Sequence, residues 1–258
     1  MSEPESVGKY MYCIIRCRES RQFSTLGIGE RRDIVHTISS EDLAAVVSDS
    51  PIAEYENSRR YMMAHTAVLE EVMRDFPILP IRFGTVAPTG EAIQTQVLTR
   101  RHEEIGNLLN EMDGRKELGL KAFWYEEAVY REIVEENPPI RQLRDKLAGV
   151  PPQQSYSERM RLGEMVQIAL GKKRDADAET ILTRLRPLAY RSKSNTIMTE
   201  RMILNAAFLV DVSREAEFDQ AVQQLDAEMG SRLMFKYVDQ VPPYNFVSVT
   251  IDWDRVES

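Results

Sequence analysis

The two cysteines and three histidines are the residues most able to bind a metal or form a redox pair. Cys13 and Cys17 lie four residues apart in KYMYCIIRC, a segment whose alternation predicts a β-strand. In a strand rising about 3.3 Å per residue their sulfurs would lie roughly 13 Å apart, too far for a disulfide. His36, His65 and His102 are not spaced to complete a ligand set with them. We therefore expect free buried thiols, a reducing compartment and no metal site.

An arginine lies inside the otherwise apolar stretch PILPIRFGTV. If this stretch is a strand, Pro80, Arg82 and Gly84 lie on one face and Phe83 lies on the other. An unpaired buried guanidinium is costly, so Arg82 requires a partner. The partner is either an acidic side chain or loop carbonyls inside the protein, or an external carboxylate or phosphate. Gly84 leaves room for a backbone or a partner to approach. Two roles stay open for Arg82: an internal structural latch, or a contact to an external protein or ligand.

A second candidate contact surface is VPPYNFVSV, near the carboxy end. Pro242 and Pro243 lack backbone donors, so this stretch is predicted to lie at a sheet edge, a bulge or a loop. Tyr244 and Phe246 then share one face. Aromatic side chains beside a rigid diproline are typical of a protein contact surface, although burial in the core is the commoner outcome for such residues.

The common catalytic and cofactor-binding motifs are absent from the sequence. It has no phosphate loop, no dinucleotide-binding fingerprint, no nucleophile elbow and no zinc-protease motif. The many carboxylates of YEEAVYREIVEE share a predicted helix with Arg131 and are expected to form a solvated face. We expect no enzymatic activity and no bound cofactor.

The composition is that of an ordinary globular protein. Of 258 residues, 43% are hydrophobic and 29% are charged. The net charge is −8 and neither half is basic, which argues against a nucleic-acid partner. No apolar run approaches the ~20 residues that cross a bilayer, and the acidic start MSEPESVGKY argues against a signal peptide. We expect a cytoplasmic protein with no lipid-membrane partner.

The first half of the chain predicts one α+β domain. A strand over residues 9–17 is followed by a polar connector that suggests a short or degenerate helix. The runs DIVHTI and LAAVVS predict a hairpin. A helix over about 57–75, the strand PILPIRFGTV and a helix over about 89–112 complete this half.

The second half repeats this order. The strand LGLKAFWY is followed by helical stretches over about 126–190, two strands, an amphipathic helix and a last strand. Each half then reads β-α-β-β-α-β, the ferredoxin-like order. We expect two ferredoxin-like domains. The first covers 1–115 and has an extra C-terminal helix, and the second covers 116–258 and has a helical arm at about 126–190.

Several blocks resemble one known family, the gas vesicle proteins of the F/L type. They are YMYCII, DLAAVVS, AHTAVLEEVM leading into ILPIRFGTV, ELGLKAFW and VPPYNFVSV, which together span most of the chain. LPIRFGT is the most specific of them. The resemblance implies a non-enzymatic role in assembling gas vesicles, the hollow buoyancy organelles of some prokaryotes. Its implied partners are the small hydrophobic shell protein and other gas vesicle accessory proteins, and it implies no catalytic residue.

Our leading hypothesis is thus a protein that binds the shell protein during vesicle nucleation or growth. The rivals are a sensor of small anions with Arg82 as anchor and an enzyme of unfamiliar type. Methionines such as Met62 and Met160, and the long helical region 155–190, are candidate shell-protein contacts. The candidates for partner binding or structural motifs are Pro80, Arg82, Phe83, Gly84, Pro242, Pro243, Tyr244 and Phe246.

Overall fold

The computed structural model describes residues 7–251 and residue 253. These residues form helices and two antiparallel sheets, which confirms the α+β class. Within the described part of the chain, no helix is both long and apolar enough to cross a membrane.

The chain divides into two compact units. The first runs as far as Glu117 and takes in the described residues from Gln240 onward, and the second is Leu118–Asp239. The sequence places residues 240–258 in the carboxy-terminal domain, whereas the described part of that stretch belongs to the first unit. One reason is local: the side-chain amide of Asn245 donates to a Glu117 carboxylate oxygen at 2.6 Å. That the two units fold as independent domains stays a prediction.

The first unit is built on a six-stranded sheet in the order β2-β3-β4-β1-β5, with β6 also paired to β1. Its strands are β1 (Val7–Arg16), β2 (Gln22–Leu26), β3 (Ile34–Ser40), β4 (Leu43–Pro51), β5 (Leu79–Pro80) and β6 (Val86–Ala87). Its helices are α1 (Arg59–Val72), α2 (Gly90–Ala92), which continues as a π-helix over Ile93–Thr99, and α3 (His102–Met112). Because β1 is central, it is buried along most of its length.

β1 departs from strict alternation at a β-bulge. Its pairing with β4 shifts between Met11 and Cys13, which makes Tyr12 the extra residue. Strict alternation would separate Tyr12 from Cys13, but both lie in one core cluster with Tyr10 and Ile15. The two cysteines are buried free thiols, as predicted, and burial raises the pKa of Cys13.

The connector after β1 forms strand β2 and not a degenerate helix. Aromatic and β-branched residues, Phe23 and Thr25, favour the strand, which pairs with β3. Glu71 of α1 caps its edge: one carboxylate oxygen accepts from the backbone N–H and hydroxyl of Ser24 at 2.8 and 2.7 Å, and the other accepts from the N–H of Thr25 at 2.7 Å. The first unit therefore lacks the first helix of the predicted β-α-β-β-α-β order, and that part of the prediction is wrong.

PILPIRFGTV is likewise not one strand. β5 and β6 both pair with β1, but residues 82–85 form a turn between them. The prediction that Arg82 and Phe83 point to opposite faces of a strand is therefore wrong. The reason is the backbone of Gly84, whose φ of +84° lies outside the extended region.

The second unit contains a four-stranded sheet in the order β10-β7-β9-β8. Its strands are β7 (Arg115–Trp124), β8 (Arg191–Ser194), β9 (Met202–Asp211) and β10 (Leu233–Val241). Its helices are α4 (Glu126–Glu136), α5 (Pro138–Leu147), α6 (Tyr156–Leu185) and α7 (Glu215–Met229). Apolar residues of the sheet, α4, α6 and α7 form its core.

The 30-residue helix α6 packs against the core of the second unit along much of its length. Its carboxy-terminal half supplies fully buried residues, and its amino-terminal half contributes partly buried apolar residues such as Leu162 and Val166. The buried positions of α6 are Asp177, Ile181, Leu182 and Leu185. The exposed large apolar residues of α6 are Tyr156, Met160 and Ile168. Because the carboxy-terminal half of the helix is part of the core, we expect that deleting residues 156–188 would unfold the second unit.

Candidate functional site

A groove of about 1090 Å³ on the first unit brings together several of the residues singled out from the sequence. Its walls are the loop after β4, one face of α1, residues 79–85 (the turn segment) and residues 242–251 (the C-terminal segment). Five of the eight sequence candidates line it: Pro80, Arg82, Phe83, Gly84 and Tyr244. The groove is therefore the site to which the sequence motifs converge.

The turn segment owes its shape to Gly84. The backbone N–H of Thr85 donates to the carbonyl of Arg82 at 3.3 Å, and Gly84 occupies the third position of the turn with a φ of +84°. This is the position at which a type II turn requires glycine. Apart from its two chain neighbours, no described residue has a heavy atom within 4 Å of where a Gly84 side chain would begin. The positive φ of the turn, and not the close approach of a neighbouring atom, therefore explains why glycine occupies position 84.

A chain of hydrogen bonds behind the groove joins four segments through His65. The N–H of Gly84 donates to the hydroxyl of Tyr10 at 3.0 Å, and that hydroxyl lies 3.0 Å from Nδ1 of His65. Nε2 of His65 lies 2.8 Å from the hydroxyl of Tyr244, which donates to the carbonyl of Ile81 at 3.1 Å. Because Tyr244 donates to Ile81, it accepts from His65 Nε2–H, and Nδ1 then accepts from Tyr10.

His65 is therefore a neutral imidazole that organises the groove. Its side chain is buried, and burial lowers its pKa to about 4. Burial also raises the pKa values of Tyr10 and Tyr244, which keeps both hydroxyls protonated as donors. The single imidazole connects β1, α1, the turn segment and the C-terminal segment. The sequence motifs do not identify His65 as a site residue. The feature that could have identified it is its position in AHTAVLEEVM, where a polar imidazole lies on the apolar face of α1.

The C-terminal segment is fixed to the first unit by further contacts. Val249 forms a parallel bridge with Ile81 of the turn segment. The guanidinium of Arg101 donates to the carbonyl of Thr250 at 2.9 Å and pairs with Glu104. These contacts make the segment a wall of the groove.

Arg82 itself is exposed and lines the groove. Its side chain makes no hydrogen bond or ion pair with any residue in the described part of the chain. Of its two predicted roles, the contacts do not show an internal latch. Its backbone carbonyl instead closes the turn by accepting from Thr85. Glu54, on the wall formed by the loop after β4, is also exposed.

Apolar side chains flank Arg82. Ile52, Met62 and Tyr244 line the groove and are 49%, 46% and 44% exposed. Phe83 is half-buried, and its ring packs edge-on against His65 at 5.7 Å between ring centroids. The described lining of the groove thus combines exposed apolar surface with the guanidinium of Arg82. Sequence reasoning missed Ile52, which lies in a loop with no motif of its own.

The remaining sequence candidates form the framework. Pro243 and Phe246 are buried, and Pro242 is half-buried. The carbonyl of Pro243 accepts from the N–H groups of Phe246 and Val247 at 3.1 Å, which closes a turn. The diproline therefore sets the course of the C-terminal segment, while Tyr244 is the side chain that reaches the groove.

One other group of ligand-type side chains lies outside the groove. Glu41, Asp42 and His102 offer three ligand atoms within 4.8 Å of one another. Asp42 already contacts His102 at 2.7 Å and Arg16 at 2.5 Å. Its hydrogen bond from His102, reinforced by the nearby Arg16 charge, lowers the pKa of Asp42. Asp42 is therefore already ion-paired and hydrogen-bonded within the protein.

Comparison with known proteins gives a consistent match over nearly the whole chain. The family described as "Gas vesicle synthesis protein GvpL/GvpF" matches residues 8–248. Gas vesicle protein F of Dolichospermum flosaquae is 30% identical over 217 residues, covering 83% of this chain and 88% of the relative. Gas vesicle protein F of Streptomyces sp. (strain CB03234) is 31% identical over 223 residues, covering 86% and 91%. The crystal structure of the gas vesicle protein GvpF from Anabaena sp. PCC7120 superposes with a TM-score of 0.81 at 28% identity, covering 95% of this chain and all of that one.

Proposed function

The chain belongs to the GvpL/GvpF family of gas vesicle synthesis proteins, and from this premise we propose that it binds the hydrophobic shell protein of the vesicle during nucleation or growth. Its other expected partners are gas vesicle accessory proteins, and its expected location is the cytoplasm, in association with gas vesicles. It acts by holding another polypeptide and catalyses no reaction.

The observation that carries the proposal is the groove of the first unit. Before it enters the wall, a hydrophobic subunit must be kept from aggregating, so its partner should present apolar surface with polar groups around it. The exposed apolar side chains of Ile52, Met62 and Tyr244 beside Arg82 provide such a surface.

Affinity capture tests the proposal. The full chain with an affinity tag is produced together with the shell protein and purified under washes of increasing salt. We expect the shell protein to remain bound, because apolar contacts are not screened by salt as exposed ion pairs are. Loss of the shell protein at every salt concentration, including the lowest, would reject shell-protein binding.

A second function, sensing of a small anion, is favoured by Arg82, which is exposed and has no ion-pair partner among the described residues. Thermal unfolding of the full chain with inorganic phosphate, nucleotides or amino acids tests it. A ligand present at 100 times its dissociation constant stabilises the folded state by about 2.7 kcal/mol. A shift in Tm that disappears in the Arg82→Ala variant would support the sensor. Unchanged melting with every compound would reject it.

We also propose that the second unit is a ferredoxin-like domain carrying a helical extension. Its elements follow as β7, helices, β8, β9, α7 and β10, and its strand order is β10-β7-β9-β8. Both features support the β-α-β-β-α-β arrangement that the sequence predicts for residues 116–258, although the unit itself covers residues 118–239. Helices α4 to α6 then enlarge the first helical connection.

A further inference from the structure

We propose that the groove of the first unit is the docking surface for the partner, and that its occupant is an apolar polypeptide segment whose carboxylate pairs with Arg82. This inference rests on the proposed function and specifies the surface and the chemistry of recognition. The charge, the apolar lining and the size of the groove support this docking surface.

Arg82 supplies the positive charge of the proposed docking surface. Its guanidinium is exposed at a groove and has no acidic partner in the described part of the chain. The backbone that carries it is held by β5 on one side and by the Gly84 turn on the other, and the Gly84 N–H is itself bonded to Tyr10. A guanidinium on a fixed backbone presents its fork of donors at low entropic cost. A carboxylate is the group that matches this fork with two parallel hydrogen bonds.

Three exposed apolar side chains lie in the same groove as that charge. Ile52, Met62 and Tyr244 come from three different segments and line the same groove, and each leaves close to half of its surface exposed. Met, Tyr and Arg are the residue types enriched in protein interfaces. Met62 also has the flexible side chain that adapts to an apolar partner. A partner segment would bury these three side chains while its carboxylate lies against Arg82.

Size and charge balance together favour a polypeptide over a small polyanion. The groove volume of about 1090 Å³ is slightly above the ~300–1,000 Å³ that is usual for small-molecule pockets. Glu54 lines the same groove and is exposed. Its carboxylate repels a ligand with several negative charges, such as a nucleotide, but tolerates a segment with a single acidic residue.

The test measures binding of the full chain to overlapping peptides that span the gas vesicle shell protein. Wild type is compared with Arg82→Ala, with Met62→Asp and with the control Arg74→Ala, which removes an exposed arginine of the same unit outside the groove. We expect wild type and the control to bind an apolar peptide that contains Asp or Glu. Arg82→Ala should weaken this binding about tenfold, which corresponds to about 1.4 kcal/mol, and Met62→Asp should weaken it as well.

A double-mutant cycle identifies the carboxylate. Replacing the acidic residue of the peptide by its amide should weaken binding to wild type by a similar factor and leave no further effect of Arg82→Ala. Equal effects of Arg82→Ala on both peptides would overturn the pairing of Arg82 with a carboxylate. Circular dichroism and Tm of each variant confirm that the fold is retained, as expected for exposed positions.

The outcomes separate this inference from the proposed function. If wild type captures the intact shell protein and both groove variants capture it equally well, the groove is not the docking surface, although the proposed function stands. If wild type captures no shell protein, the proposed function fails. If phosphate or a nucleotide shifts the Tm of wild type through Arg82 and no peptide binds, the groove serves a small anion and the polypeptide inference is overturned.

Discussion

At the residue scale, His65 explains why the most specific sequence blocks lie together. It receives a hydrogen bond from Tyr10 and donates one to Tyr244, so it links YMYCII, the helix α1 and VPPYNFVSV around the turn of LPIRFGT. A protonated imidazole would need acceptors on both nitrogens, and the Tyr10 hydroxyl would then have to turn its proton away from Nδ1. The hydrogen bonds behind the groove therefore require the neutral form of His65.

This arrangement predicts a pH-dependent stability. In the unfolded chain a histidine titrates near 6.5, whereas the pKa of His65 in the folded protein is lowered to about 4. Between these values the unfolded chain binds more protons, so the free energy of unfolding falls as the pH decreases from 6.5 to 4. The expected loss is up to about 3 kcal/mol, measured by urea denaturation across that range.

The variant His65→Gln isolates the effect. Glutamine keeps an acceptor for Tyr10 and a donor for Tyr244 but does not titrate. Its stability should change less between pH 6.5 and 4 than that of wild type, while the control His36→Gln, outside the groove, should follow wild type. Parallel curves for wild type and His65→Gln would show that His65 is not held neutral.

Replacing glycine by alanine should have opposite effects on the free energy of unfolding at Gly84 and at Gly163. Gly84→Ala places a side chain at a φ of +84° and should lower the free energy of unfolding by about 1–2 kcal/mol. Gly163 lies inside α6, with open space around the position of a Cβ. Gly163→Ala should therefore raise the free energy of unfolding by about 1 kcal/mol. Chemical denaturation measures both. A Gly84→Ala variant as stable as wild type would contradict the claim that the turn requires glycine at position 84.

At the element scale, β2 depends on α1 for its edge. Glu71 accepts hydrogen bonds from Ser24 and Thr25, which would otherwise expose donors at the edge of the sheet. Partial burial raises the pKa of Glu71, but the hydrogen bonds from Thr25 and Ser24 outweigh it and lower that pKa to about 2. The attachment is therefore complete above pH 4.5 and is lost as the pH falls toward 2.

Glu71→Gln should loosen this edge. A carboxamide cannot accept on both of its terminal atoms, so the amide protons of Ser24 and Thr25 should exchange faster with solvent, and stability should fall by about 1 kcal/mol. Glu70→Gln, at the neighbouring exposed position of α1, is the control. Hydrogen exchange at pH 6 that is the same in all three proteins would show that Glu71 does not hold β2.

The sequence predicted the elements that carry regular patterns and missed those set by single residues. The hairpin β3–β4, helix α1 and the diproline turn follow from β-branched runs, apolar spacing and missing donors. The break after β5 was missed because one glycine with positive φ overrides an apolar strand pattern. β2 was missed because its edge is completed by Glu71, 46 residues away from Thr25 along the chain.

The candidate site shows the same division. The motifs identified Arg82 and Tyr244, which both line the groove. They did not identify His65, whose position on the apolar face of α1 is also that of an ordinary core residue. The convergence of these segments depends on the route of the C-terminal segment back to the first unit, which no local pattern in the sequence reveals.

At the scale of the whole molecule, a net charge of −8 is compatible with the proposed binding of a hydrophobic partner. Like charge keeps copies of the chain apart while the groove exposes apolar side chains. The exposed face of α6, with Tyr156, Met160 and Ile168, is a second apolar surface. It can be examined only by substituting surface residues, because the buried half of α6 is part of the core.

Binding of the shell protein is measured by the amount of shell protein that stays in the supernatant. Shell protein is diluted from denaturant into buffer with increasing amounts of the full chain and then centrifuged. We predict that the soluble fraction of shell protein rises with added wild type, saturates at a fixed ratio and falls in the Arg82→Ala and Met62→Asp variants. Shell protein that sediments equally with and without wild type would contradict the claim that this chain binds it.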